Sequence, residues 1–124
     1  LIEFQTFRVL DAKAESRKAR FGVNHYAAYV LSPDGSLAAV DLGECEKINK
    51  QVAEFRSAIK NISSDEFKEK ARQLDTVLIE PLRSLLKNTK TVLLSPDGTL
   101  NLLPFAALID KNGKFLIETY AIDY

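Results

Sequence analysis

The sequence predicts a mixed α/β fold built as one unit, and two observations carry that reading. Short apolar or alternating runs, the signature of strands, fill residues 1–42 and return from Thr91 onward, while the stretch between them changes to a helical period. The motif Leu-Ser-Pro-Asp-Gly-Ser/Thr-Leu occurs twice, at 31–37 and 94–100. In such a turn Pro presets φ at the first corner and Asp bonds its own backbone. Gly then supplies the positive φ that closes a type I turn with a bulge. Two copies this short do not make a repeat protein; they read as one hairpin turn used twice. No candidate linker interrupts residues 1–124, which divide into strands and a hairpin over 1–42, two helices over 44–88, and a strand, a turn and further strands over 91–124.

Taken in order, Ile2 to Leu10 alternates loosely (Ile2, Phe4, then Phe7 and Val9) and predicts a strand. Asp11 to Arg20 is polar and carries Arg17, Lys18 and Arg20; it reads as a solvated loop ahead of a phosphate site. His25 to Leu31 and Ser36 to Leu42 are strands joined by the first Pro-Asp-Gly turn. Ile48, Val52, Phe55, Ile59 and Ile62 then make one helical stripe. Ser63 and Glu66 have capping-box spacing, with Ile62 and Phe67 as a staple around them. A second stripe follows through Phe67, Ala71, Leu74, Leu78, Leu82 and Leu85, with a break expected at Glu80 because Pro81 follows it. Lys87 suits a last helical turn and Asn88 a left-handed cap. Thr91 to Ser95 is an apolar run that reads as a strand buried on both faces. The second Pro-Asp-Gly turn, another strand, a helical turn after Pro104, the Asp110-Lys111-Asn112-Gly113 turn, a strand at Phe115 to Ile117 and a last strand at Ala121 to Tyr124 complete the chain. The coarse order is β-β-β-α-α-β-β-β-β.

Bulk composition narrows the classes of function. Seventeen basic residues balance seventeen acidic ones in 124, so nothing electrostatic calls for nucleic acid or an anionic membrane as partner. The longest apolar run is far below membrane-spanning length, and no signal-peptide pattern opens the chain. One cysteine makes no internal disulfide and suits a reducing cytoplasm. The chain has no Met and starts inside a strand-like run, which predicts a piece of a longer protein or a processed fragment.

Few residues offer chemistry. A cysteine peptidase needs a thiolate and a histidine within hydrogen-bond reach, and the chain has one of each, Cys45 and His25. The first hairpin places His25 opposite roughly Gly43, near Cys45. Glu44 and Glu46 flank the thiol, however, and neighbouring carboxylates raise a thiol pKa that a nucleophile needs lowered. The pair therefore reads as surface or half-buried structure, and no catalytic residue is assigned. With no Cys-x-x-Cys, no His-x-x-x-His and no Gly-rich phosphate loop, no metal or cofactor is expected. Asp34 and Asp97 stand in turns for backbone reasons, and the aromatic residues fall on core stripes.

The run Thr91-Val92-Leu93-Leu94-Ser95-Pro96-Asp97-Gly98 followed by Leu103-Pro104-Phe105 resembles the CHAT domain, the caspase-like domain found with tetratricopeptide repeats and related to separases. The resemblance extends over most of the chain. Leu1-Ile2-Glu3-Phe4 resembles the family's opening strand, Tyr26 to Leu31 its second, and Val40-Asp41-Leu42-Gly43 the end of its third. Phe115-Leu116-Ile117-Glu118 and Tyr120 to Tyr124 resemble the pair of strands after Leu-Pro-Phe. Ala106 departs from the family, which often carries an acidic residue there. The resemblance implies the N-terminal part of a caspase-like domain: a mixed sheet flanked by helices, with Thr91 to Ser95 near its centre and Leu103-Pro104-Phe105 packed beneath. It implies cysteine-peptidase chemistry in the intact domain, whose catalytic His and Cys stand in contexts absent here and expected beyond Tyr124. Implied partners are the remaining C-terminal part of the domain, helical repeats and a protein substrate. A non-catalytic interaction or pseudo-peptidase domain, or a small stand-alone ligand-binding domain, are the alternatives.

Overall fold

The computed structural model describes residues 1–8 and 24–124; the predicted strand end at Val9 and Leu10 and the polar loop over 11–20, with Arg17, Lys18 and Arg20, lie outside the described residues. The fold is α/β, as expected, with a mixed five-stranded sheet. Its strands are β1 (Ile2–Arg8), β2 (Asn24–Leu31), β3 (Leu37–Glu44), β4 (Thr91–Ser95) and β5 (Ala121–Asp123), in the spatial order β3-β2-β1-β4-β5. β1, β2 and β3 pair antiparallel; β4 runs parallel to β1 on one side and to β5 on the other.

Two helices, α1 (Cys45–Ala58) and α2 (Asp65–Leu78), cover one face of the sheet. Ile2, Phe4, Ala28, Val30, Val92 and Leu94 point into a core shared with Ile48, Val52, Phe55, Phe67, Ala71, Leu74 and Leu78. The helical stripes read from sequence are thus core, and Phe55 and Phe67 join α1 to α2 with ring centroids 5.3 Å apart. The first stripe is overextended in the sequence reading. α1 stops at Ala58, and Ile59 and Ile62 are exposed. The helix cap also shifts by one. Ser64, not Ser63, is the N-cap, its Oγ accepting from Phe67 N at 3.1 Å, and exposed Ile62 makes no staple. The break at Pro81 is observed: α2 gives way to a 3-10 segment over Glu80–Leu86, and Asn88 takes a left-handed φ of 64°.

The two Pro-Asp-Gly turns part company. At the first, Gly35 N donates to Ser32 O at 2.9 Å and the Asp34 carboxylate accepts from Ser36 N at 2.8 Å, closing the β2–β3 hairpin. The second is not a hairpin turn. After it the chain winds into a 3-10 helix, Gly98–Leu102, where a strand was expected. β4 already has β1 and β5 on its two edges, so no free edge remains for a returning strand, and Leu100 plugs the core instead. A further 3-10 turn, Phe105–Ala107, follows Pro104 as predicted. Phe105 stacks on Phe4 of β1, centroids 5.4 Å apart, so this segment packs beneath the central strand rather than β4.

Two further expectations need correction. Burial along β4 alternates, with Leu93 exposed between buried Val92 and Leu94, because among the described residues the helices cover one face of the sheet. The strand expected at Phe115 to Ile117 is a single bridge, Ile109 to Phe115, followed by a helical turn, α3 (Leu116–Thr119). The Glu118 carboxylate accepts from Phe115 N at 2.6 Å and starts that turn. The Asp110 turn forms as read, its Oδ1 accepting from Asn112 N and Lys114 N.

Candidate functional site

Parallel strands aim their carboxyl ends at one edge of a sheet, and in α/β proteins that edge is where sites are built. Here β1 and β4 end beside the start of β2, the end of β3 and the first residue of α1. Near this edge stand His25, Tyr26, Asp41, Cys45, Asn49, Asp97 and Thr99.

The sequence brings His25 and Cys45 into one neighbourhood, and the structure gives each a different partner. A bulge between Tyr26 and Ala27 slides the register so that His25 stands opposite Glu44, not Gly43. The His25 ring turns to Asp41, with Nδ1 at 2.9 and 3.1 Å from the two carboxylate oxygens. Asp41 Oδ1 also accepts from Gly43 N at 2.9 Å, and these bonds, the histidine's first, hold the Asp41 carboxyl below its ordinary pKa. Phe7 meets the imidazole edge-on at 5.6 Å. The other side of His25 borders a cleft of about 400 Å³ lined also by Gly43, Glu44, Lys47 and Gln51.

Cys45 opens α1 and is only 8% exposed. Burial pushes its thiol pKa up, and the nearby Asp97 carboxylate adds to the rise. The direction matches the sequence reading, but the cause differs: burial leads, in place of the flanking Glu44 and Glu46. The thiol is thus held protonated at neutral pH, the opposite of an activated nucleophile.

Asp97 and Gly98 lie against this cluster. Where β4 ends, the Asp97 carboxylate takes over from the ladder and accepts from Thr6 N of β1 at 3.2 Å. Tyr26, buried, donates its hydroxyl proton to Asn49 Oδ1 at 2.6 Å, and the Tyr26 hydroxyl oxygen lies 3.1 Å from where a Cβ on Gly98 would stand. Burial first, and the Cys45 charge second, raise the Tyr26 pKa.

Sequence reasoning missed one charged cluster. Asp75, fully buried on α2, accepts a two-pronged bond from Arg83, Nη1 to Oδ2 at 2.7 Å and Nη2 to Oδ1 at 2.6 Å; Arg83 also bonds Glu80, and Arg72 lies 3.5 Å from Asp75. The bond to Asp75 makes the guanidinium hold its proton more firmly than usual. The signal was an Asp set among Leu74, Leu78 and Ile79, with an Arg two turns on across the Pro81 break. Its role is to lock the 3-10 segment to α2. Among the described residues no group of three or more His, Cys, Asp or Glu is placed to hold a metal ion, and no helix is long and apolar enough to cross a membrane.

Residues 68–124, a little under half of the chain, match the family model of the CHAT domain. The match begins inside α2 and takes in β4, the Ser-Pro-Asp-Gly turn, Leu103-Pro104-Phe105 and β5. No curated protein and no solved structure matches the chain.

Proposed function

We propose, from a chain whose residues 68–124 carry part of a CHAT domain, that it forms the non-catalytic scaffold portion of a caspase-like cysteine peptidase unit. The observation that carries this reading is the state of its two reactive residues. The one cysteine is buried with its thiol pKa raised, and the one histidine is bonded to Asp41. Thiolate attack on a peptide carbonyl, proton transfer by histidine and backbone N–H stabilisation of the oxyanion then belong to residues that the remaining C-terminal part of the domain supplies. This chain contributes the sheet and the edge at the ends of β1 and β4 on which such residues are carried. The setting is cytoplasmic, which an unpaired buried cysteine suits, and helical repeats in the parent protein are its neighbours.

The test uses the parent protein with peptide substrates. Turnover that a thiol alkylator abolishes, and that Cys45→Ala and His25→Ala leave unchanged, supports the proposal. Turnover by residues 1–124 alone, lost on Cys45→Ala, overturns it. A non-catalytic interaction or pseudo-peptidase domain is the second reading, and Ala106 favours it, standing where CHAT domains often carry an acidic residue. A parent protein with no thiol-dependent turnover on any peptide decides for that reading.

A further inference from the structure

Six asparagines stand in the chain, and only Asn112 precedes a glycine. The backbone nitrogen of the following residue can attack the side-chain amide carbon of an asparagine. A Cβ on that residue blocks the approach and narrows the backbone angles that permit it. Gly113 presents neither obstacle: its φ is +79°, and a Cβ there would meet nothing within 4 Å. Asn112 and Gly113 are both exposed, so water and base reach them. Among the described residues the Asn112 side-chain amide enters no hydrogen bond. Those of Asn24, Asn49, Asn61 and Asn101 are each held, by Arg8, the Tyr26 hydroxyl, Ser63 N and Gly98 O.

The steps balance with water alone. Hydroxide takes the Gly113 amide proton, and the flanking Lys111 and Lys114 charges favour the nitrogen anion that results. That nitrogen bonds to Cγ of Asn112, and a cyclic imide closes as the side-chain nitrogen takes a proton from water and leaves as ammonia. Water then opens the ring. Opening at Cγ leaves an aspartyl residue; opening at the α-carbonyl leaves an isoaspartyl one, with the main chain routed through the side chain. One water is consumed and one ammonia released.

The turn around the pair opposes the attack. Gly113 N already donates to Asp110 O at 3.0 Å, and Asp110 Oδ1 accepts from Asn112 N at 2.8 Å and from Lys114 N at 3.0 Å. While these bonds hold, the Gly113 N–H is engaged and its nitrogen is kept from swinging onto Cγ.

We propose that Asn112-Gly113 is a self-modifying site, which converts to aspartyl and isoaspartyl forms through the imide, and that the Asp110 carboxylate sets its rate by holding the turn closed. The inference stands whether or not the domain is a peptidase. The product bears on the fold, because this turn leads from buried Leu108 and Ile109 to buried Leu116: Asp110 N donates to Lys114 O, Leu116 N donates to Leu108 O, and Ile109 bridges Phe115. An isoaspartyl residue lengthens the main chain inside the turn and sets a second carboxylate beside Asp110.

The test holds the folded chain in mildly alkaline heavy-oxygen water and follows the peptide that spans residue 112 by mass and by chromatography that separates the two product forms. The chain, of formal net charge +0, gains one negative charge, the peptide takes up solvent oxygen, and the other asparagines stay amides over the same time. Gly113→Ala slows the conversion about tenfold or more, and Asp110→Ala hastens it about fivefold or more, with Asp110→Asn, which keeps an acceptor, falling between. Asn112→Gln abolishes it. In denaturant the native chain and Asp110→Ala convert at one rate, faster than the folded native chain. An amide still intact in the folded chain after the denatured chain has converted overturns the proposal. So do equal rates in the folded and denatured native chain, or folded-state rates indifferent to both Asp110 variants.

Discussion

Gly35 and Gly98 hold the same place in the same motif, and their surroundings separate them. Both have positive φ, 87° and 56°, but a Cβ at Gly35 meets nothing within 4 Å, while at Gly98 it meets the Tyr26 hydroxyl at 3.1 Å. Gly35→Val is therefore expected to cost about 1–2 kcal/mol from the backbone alone, and Gly98→Val distinctly more, because Tyr26 is fully packed and bonded to Asn49. Denaturation midpoints of the two variants check this order; equal midpoints would mean that Tyr26 yields freely. Ser64→Ala is expected to cost about 1 kcal/mol by removing the acceptor for Phe67 N, and Ser63→Ala close to nothing. The motif Ser63-Ser64-Asp65-Glu66 shows that a cap was due; which of two adjacent serines takes an extended backbone depends on how α1 ends, beyond the reach of spacing. Asp41 carries a pH signature. Its folded pKa lies below the unfolded one, so its contribution is full above the ordinary Asp range, near pH 3.9, and is lost as pH falls through the folded value. The stability gap between the native chain and Asp41→Asn should close in that acid window; a gap that stays constant down to pH 2 contradicts the His25–Asp41 pairing.

At the scale of elements, what the sequence made legible follows local rules, and what it hid depends on neighbours. The stop at Pro81, the left-handed Asn88, the helical turn after Pro104 and the Asp110 turn each follow from a residue's own backbone preference. The fate of the second Pro-Asp-Gly turn and the one-sided burial of β4 were set by occupied edges and by the face that the described helices leave open, neither of which periodicity records. At Phe115 one carboxylate three residues on outweighed an apolar run that strands and short helices share. The Asp75–Arg83 lock belongs to this class too, since its partners sit on opposite sides of a helix break. Arg83→Met leaves the buried Asp75 without its two-pronged partner and should cost about 3–5 kcal/mol, while the double replacement Asp75→Leu with Arg83→Met recovers much of the loss. A double mutant no more stable than Arg83→Met would show that the arginine acts through packing alone.

For the whole molecule, the α/β class and mixed sheet were legible because helical and strand periods alternate in blocks, whereas the candidate site was readable only as two residue types lying close together. Their separate partners, Asp41 for the ring and the core for the thiol, follow from the bulge at Tyr26 and from packing that no spacing records. Cys45 should react with alkylating reagents more slowly than a free thiol at neutral pH, and at the free rate once the chain is denatured; faster labelling in the native state contradicts its burial.

The bond from Thr6 to Asp97 joins residues 91 positions apart, and β1 meets β4 at only two register positions, Ile2 with Leu94 and Glu3 with Ser95. The β2–β3 hairpin closes over a single tight turn. Loop closure is therefore expected to order folding, with the hairpin and the α1–α2 pair forming before the β1–β4 seam. Weakening the seam with Leu94→Ala should then hasten unfolding and spare the refolding rate, and weakening the hairpin with Val30→Ala should slow refolding. On that expectation the edge where Asp97 replaces a ladder bond is the part of this chain that settles after the rest.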